Sequence, residues 1–137
     1  MSFFKKHGIL IGIIICFLML VFMVFGIFSI DKTTNAMIVN YLTYLGYETG
    51  DKPFEITRIT IPQDFDAIYS SYNNIQLEAG FDLSKYKGKS LSKYSYEVKN
   101  VDGEGVRANV LVYDGIIVGG DISSPKTDGF LKSLSPK

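Results

Sequence analysis

Four aspartates, Asp64, Asp66, Asp82 and Asp121, have the widest chemical scope in this chain. Two carboxylates across one cleft can serve as acid and base in glycoside hydrolysis, provided the fold sets their separation. Asp121 closes a Gly119-Gly120-Asp121 segment in which the glycines permit a bulge or a close backbone approach. Its carboxylate is a candidate ligand for a cation or a substrate hydroxyl. A second candidate is the stretch 82–93, where Lys85, Lys87, Lys89 and Lys93 cluster with Tyr86. A basic loop carrying an aromatic can hold an anionic wall polymer or a lipid headgroup. Each feature also has a plain structural reading: a strand bulge for GGD, a solvated loop for the lysines, and a helix cap for Asp64.

The residues that are missing narrow the chemistry further. The only histidine is His7 and the only cysteine is Cys16. Nothing after residue 31 can therefore form a disulfide, a thiolate or imidazole metal site, or a Ser-His or Cys-His pair. We expect no catalytic set, no metal site and no cofactor. Of the 14 Lys and Arg, Lys5 and Lys6 precede the apolar run, which leaves 12 against 14 carboxylates in the rest of the chain. A net charge of that sign gives no broad basic surface, so nucleic acid is not an expected partner.

The candidate sites lie beyond an anchor. Gly8 to Ile30 is an unbroken run of 23 uncharged residues, flanked by Lys5, Lys6 and His7 before it and Asp31 and Lys32 after it. As a helix it would reach about 34 Å, enough to cross a hydrocarbon core of about 30 Å. A cleaved secretory signal is the alternative, but the run exceeds the usual h-region and has no clean small-x-small site after it. Ile15 before Cys16 does not suit lipidation of that cysteine. The positive-inside rule puts residues 1–7 in the cytoplasm, 8–30 across the cell membrane as a single pass, and 31–137 outside the cytoplasm. Gly8 and Gly12 form a GxxxG pair that could pack two such helices into a homodimer.

Thr33, Thr34 and Asn35 offer N-caps for a helix carried by Met37, Ile38, Tyr41, Leu42 and Leu45 and ended by Gly46. A short strand, a Gly50-Asp51 turn and a longer strand fill Tyr47 to Pro62. Asp64 would cap a second helix burying Phe65, Ile68, Tyr69, Tyr72, Ile75 and Ala79, with Gly80 just past its end. After the irregular stretch 81–90, period-two alternation marks strands around Tyr94, Tyr96 and Val98 and around Val106, Ala108, Val110 and Val112. Asp114-Gly115 then turns the chain into IIVGGDI. A short helical stretch is expected over 128–134. The fold class is α+β: a transmembrane helix, then two helices packed on one face of an antiparallel sheet centred on a three-stranded meander.

The order of segments and several residue groups resemble the family called domain of unknown function 4830, bacterial proteins that are membrane-anchored or exported. The matching pieces are Tyr41-Leu42 through Gly46-Tyr47, ITIP at 59–62, Tyr72-Asn73 with Gln76, Gly80-Phe81-Asp82-Leu83, Tyr86-Lys87-Gly88-Lys89, residues 107–113, Gly119-Gly120-Asp121 and Asp128-Gly129-Phe130. The family pattern commonly has tryptophan where this chain has Tyr47, and can have cysteine where it has Ser123. The second departure counts against thiol chemistry there. The resemblance implies no defined activity. The expectation is a single-pass membrane protein presenting a small interaction or sensing domain. Its partners would be the lipid bilayer and an envelope protein or anionic wall polymer. The alternatives are a carboxylate-dependent hydrolase of cell-envelope polymer and a cleaved, secreted binding protein.

Overall fold

The computed structural model describes the backbone of residues 2–137 and the side chains of residues 7–23 and 32–137. The chain divides into two compact units, residues 1–34 and 35–137. The first unit is helical, part of α1 (Ser2–Tyr44). Its apolar side chains from Ile9 to Met23 are exposed on every side, with Phe22 at 83%. Among the described residues no helix is long and apolar enough to cross a membrane. Val24 to Ile30, the last part of the expected 8–30 span, lie outside the residues whose side chains are described.

A separate helix starting at Thr33–Asn35 does not form, because α1 runs on to Tyr44. No glycine or proline falls between Gly26 and Gly46, so nothing in the sequence breaks the helix there. Asn35, expected as a cap, instead accepts from Tyr96 Oη at 2.7 Å and donates to Asp51 O at 2.8 Å.

The second unit is a sheet with helices on both faces. After α1 come β1 (Glu55–Thr60), α2 (Ala67–Glu78), a 3-10 turn (Leu83–Tyr86), β2 (Ser90–Glu97), β3 (Arg107–Tyr113), β4 (Ile116–Ser123) and β5 (Leu131–Ser133). The strands follow one another in chain order as a five-stranded antiparallel meander, the expected three flanked by β1 and β5. Ala108, Val110 and Val112 of β3 bury against Ile38, Leu42 and Leu45 of α1. Leu111, pointing the other way, joins Ile61, Leu83, Leu91 and Val118, with Phe65, Tyr69 and Tyr72 packed over them. The expectation of both helices on one face is therefore corrected. A central strand that is apolar at consecutive positions needs cover on both sides.

Three local expectations are also corrected. Thr49 bridges to Val98 and β1 pairs with β2, so no hairpin forms within 47–62. The buried Tyr47, whose hydroxyl donates to Ser135 O at 2.8 Å, holds that segment to the core instead. Residues 131–133 form β5, not a helix, because the open edge of β4 at Asp121–Ser123 supplies a ladder that outweighs local helical pattern. The cap of α2 is Asp66 rather than Asp64, its Oδ1 accepting from Tyr69 N at 2.8 Å. Ile68, expected to be buried, faces solvent at 79% exposure, while Asn73 and Gln76 are buried. Asp66→Ala should cost about 1 kcal/mol of unfolding free energy, while Asp64→Ala stays within a few tenths, as read by denaturant titration.

Candidate functional site

The GGD segment sits where three buried side chains from different elements converge. Register between β3 and β4 slips at Leu111/Val112, so the chain bulges at Val118-Gly119 and both residues turn toward α2. At Gly119 a Cβ would press on Gln76 Oε1 at 2.8 Å, so only glycine lets the helix come this close. Gln76 Oε1 then accepts from Gly120 N at 2.8 Å. Two residues of sheet further, Asp121 lies buried at 4% exposure. Its Oδ2 accepts from Tyr72 Oη at 2.6 Å and its Oδ1 from Asn109 Nδ2 at 2.8 Å. Asn109 Oδ1 in turn accepts from Ser95 Oγ at 2.7 Å, and its Nδ2 reaches Ser123 Oγ at 3.3 Å.

Both oxygens of this buried side chain are thus satisfied by neutral donors. Burial first, and then the charge of Asp121 and the hydrogen bond to it, push the Tyr72 phenol well above its ordinary value; the nearby Gln76 amide opposes this in part. Both Asp121 oxygens are engaged, so the geometry makes the residue a fastener between α2 and the sheet. Among the described residues no group of three or more His, Cys, Asp or Glu could hold a metal ion.

The lysine-bearing stretch is fastened through the same helix. Asn73, next to Tyr72, accepts from Leu83 N at 2.7 Å and donates to Asp82 Oδ1 at 3.1 Å. Asp82 caps the 3-10 turn by accepting from Ser84 N at 3.0 Å and Ser84 Oγ at 2.6 Å. The Ser84 hydroxyl, followed by the Asn73 amide and the Ser84 N–H, holds the Asp82 carboxyl below the usual range. Its contribution to stability is thus present above the unfolded-state value and lost as pH falls through the folded one. Lys85, Lys87 and Lys89 are exposed, and among the described residues none is in an ion pair. Lys87 Nζ lies 4.8 Å over the Phe65 ring, and Tyr86 packs edge-on against Tyr113 at 5.5 Å. Gly8 and Gly12, in the other unit, have open space around them.

Of the expected site residues, Asp121 and the turn bearing Lys85, Tyr86, Lys87 and Lys89 are thus tied together by consecutive inward residues of α2. Tyr72 reads in sequence as a core aromatic, and Asn109 and Ser95 as water-facing strand positions. Gln76 carries no signal by periodicity. The available pointer is that Tyr72, Asn73, Gln76, Asp82, Asn109 and Asp121 all fall within the pieces that carry the family resemblance.

With this geometry in place, the family comparison is direct. The model of the family described as domain of unknown function (DUF4830) matches residues 41–122, more than half of the 137-residue chain, and the chain belongs to that family. The matched region runs from the last turn of α1 through Ile122, and so contains the whole α2–GGD–Asp82 network. Neither a curated protein nor a solved structure gives a match.

Proposed function

We propose that this chain is a membrane-tethered presenter of a small extracytoplasmic interaction or sensing domain. Residues 8–30 cross the bilayer once, residues 1–7 stay in the cytoplasm and 31–137 lie outside. The observation that carries this reading is the run of 23 uncharged residues flanked by Lys5 and Lys6. An all-round apolar helix has no reason to stay in water, and two lysines before it favour retention of that end inside. The exposed apolar side chains from Ile9 to Met23 support the reading. The contact surface of the domain is the turn carrying Lys85, Lys87 and Lys89, three exposed lysines beside Tyr86, none in an ion pair among the described residues, suited to an anionic wall polymer or an acidic envelope protein.

Topology is tested in host cells with a membrane-impermeant maleimide, in a Cys16→Ser background. Ser71→Cys, exposed on α2, should label in intact cells, and Ser2→Cys only after permeabilisation. The reverse pattern, or release of the chain by alkaline carbonate, overturns the anchor. An intact amino-terminal peptide by mass spectrometry separates an anchor from a cleaved signal. For the contact surface, the Lys85/Lys87/Lys89 triple alanine variant should lose retention on purified anionic wall polymer at low salt. Unchanged retention removes the turn from the proposal.

A further inference from the structure

We propose that the free edge of β1 pairs with the same edge of a second copy of this chain, antiparallel and centred on Thr57. The strand order ends at β1, so among the described residues no strand lies beyond it. The opposite edge, β5, is three residues long with Lys132 at its middle, a protected edge. By contrast, β1 is six residues of unbroken register with no internal proline or lysine. Pro53 and Pro62 stand just outside it.

Ladder alternation says which groups are free. Ile61 N donates to Lys89 O in the β1–β2 register, and Val98 N, at the end of β2, donates to Val106 O on the β3 side, so the odd-numbered residues of β2 face β1. Glu55, Thr57 and Ile59 therefore turn their N–H and C=O groups to β2, and Ile56, Arg58 and Thr60 turn theirs outward. A two-fold axis perpendicular to the sheet keeps each face on its own side, so opposed residues must share parity. A register centred on Arg58 would align all three outward residues but set Arg58 against Arg58, whereas the next allowed register places Ile56 opposite Arg58 of the second copy, and Arg58 opposite its Ile56. Thr57 then faces Thr57 at the closely spaced position. The strand carries one Glu and one Arg, and in this register neither lies directly opposite a like charge. Ile56, exposed at 51%, would gain cover from its own copy. That charge neutrality favours a second copy over a charged foreign peptide.

The test uses the purified full chain in detergent, with Cys16→Ser, under mild oxidation. Thr57→Cys should form a reducible disulfide dimer, since facing residues at such a position are about 4.5 Å apart, within disulfide reach. Glu55→Cys, roughly 13 Å from its counterpart in this register, should cross-link about tenfold less. Adding Arg58→Pro removes an outward N–H while leaving the β1–β2 ladder intact, and should abolish the Thr57→Cys dimer with the melting curve preserved. Light scattering should show a dimer for the Cys16→Ser chain and a monomer once Arg58→Pro is added. Equal cross-linking at positions 55 and 57, or dimerisation unaffected by Arg58→Pro, overturns the proposal.

Discussion

Replacing Gly120 with alanine is expected to remove about 3 kcal/mol or more of folding stability, a drop of roughly 12 °C or more in Tm for a domain of this size. A Cβ at Gly120 would run into the backbone oxygen of Asn109 on β3 and come within 2.6 Å of Leu134 Cδ2. The first obstacle is main chain inside a paired ladder, which cannot move without breaking the β3–β4 register. Gly119 differs, because its obstacles are the side chains of Gln76 and Leu83, which can shift by a few tenths of an ångström, so Gly119→Ala should cost less. Gly115 is the control. It has positive φ in the Asp114-Gly115 turn but nothing within 4 Å, so alanine there meets backbone strain alone, about 1 kcal/mol. Urea unfolding of the three variants should rank them Gly120, Gly119, Gly115. A Gly120→Ala loss equal to that of Gly115→Ala would mean the sheet relaxes around the methyl group.

That ordering bears on what could be read in advance. The strands around Tyr94–Tyr96 and Val106–Val112, with the Asp114-Gly115 turn, were legible because period two and the positive-φ turn are both local signals. β5 was not, because residues 128–134 carry a helical pattern and only the open edge of β4 makes them a strand. Nor was the second covered face. Ser95 and Asn109 alternate with apolar neighbours and read as facing water, and Asp121 reads as a candidate ligand. In the fold they face α2 and satisfy one another, an outcome that depends on where a helix docks whose Tyr72 is 49 residues from Asp121 in sequence. GGD stood out as a location, yet its role is the reverse of an open ligand site. The glycines admit Gln76, and the carboxylate is engaged by Tyr72 and Asn109.

If Asp121 fastens α2 to the sheet, removing either partner should loosen the helix in a way that pH can diagnose. Asp121→Ala leaves the Tyr72 hydroxyl and one Asn109 N–H buried without their acceptor, and should cost about 3 kcal/mol. Tyr72→Phe leaves the carboxylate with one donor fewer, and should cost about 2 kcal/mol at neutral pH. A general packing defect would produce similar losses, so the alkaline limb carries the discrimination. The Tyr72 phenol is raised in the folded state, and the protonated form is therefore the one the fold favours. Its contribution is fully present below the unfolded value near pH 10. Above that the unfolded chain gives up the proton while the folded chain keeps it, and stability falls with slope up to about 1.4 kcal/mol per pH unit. Tyr41, Tyr47 and Tyr69 are raised as well, chiefly by burial, so part of the alkaline slope persists in any single variant. Tyr72→Phe should nevertheless flatten the limb between about pH 10 and 11.5 by most of the Tyr72 share. Asp121→Asn, which removes the charge that helps raise the phenol, should flatten it in part. Parallel curves for wild type and Tyr72→Phe would show that the phenol–carboxylate bond does not hold the helix, and the fastening would then rest on Gln76 and the packing of Phe65, Tyr69 and Leu83.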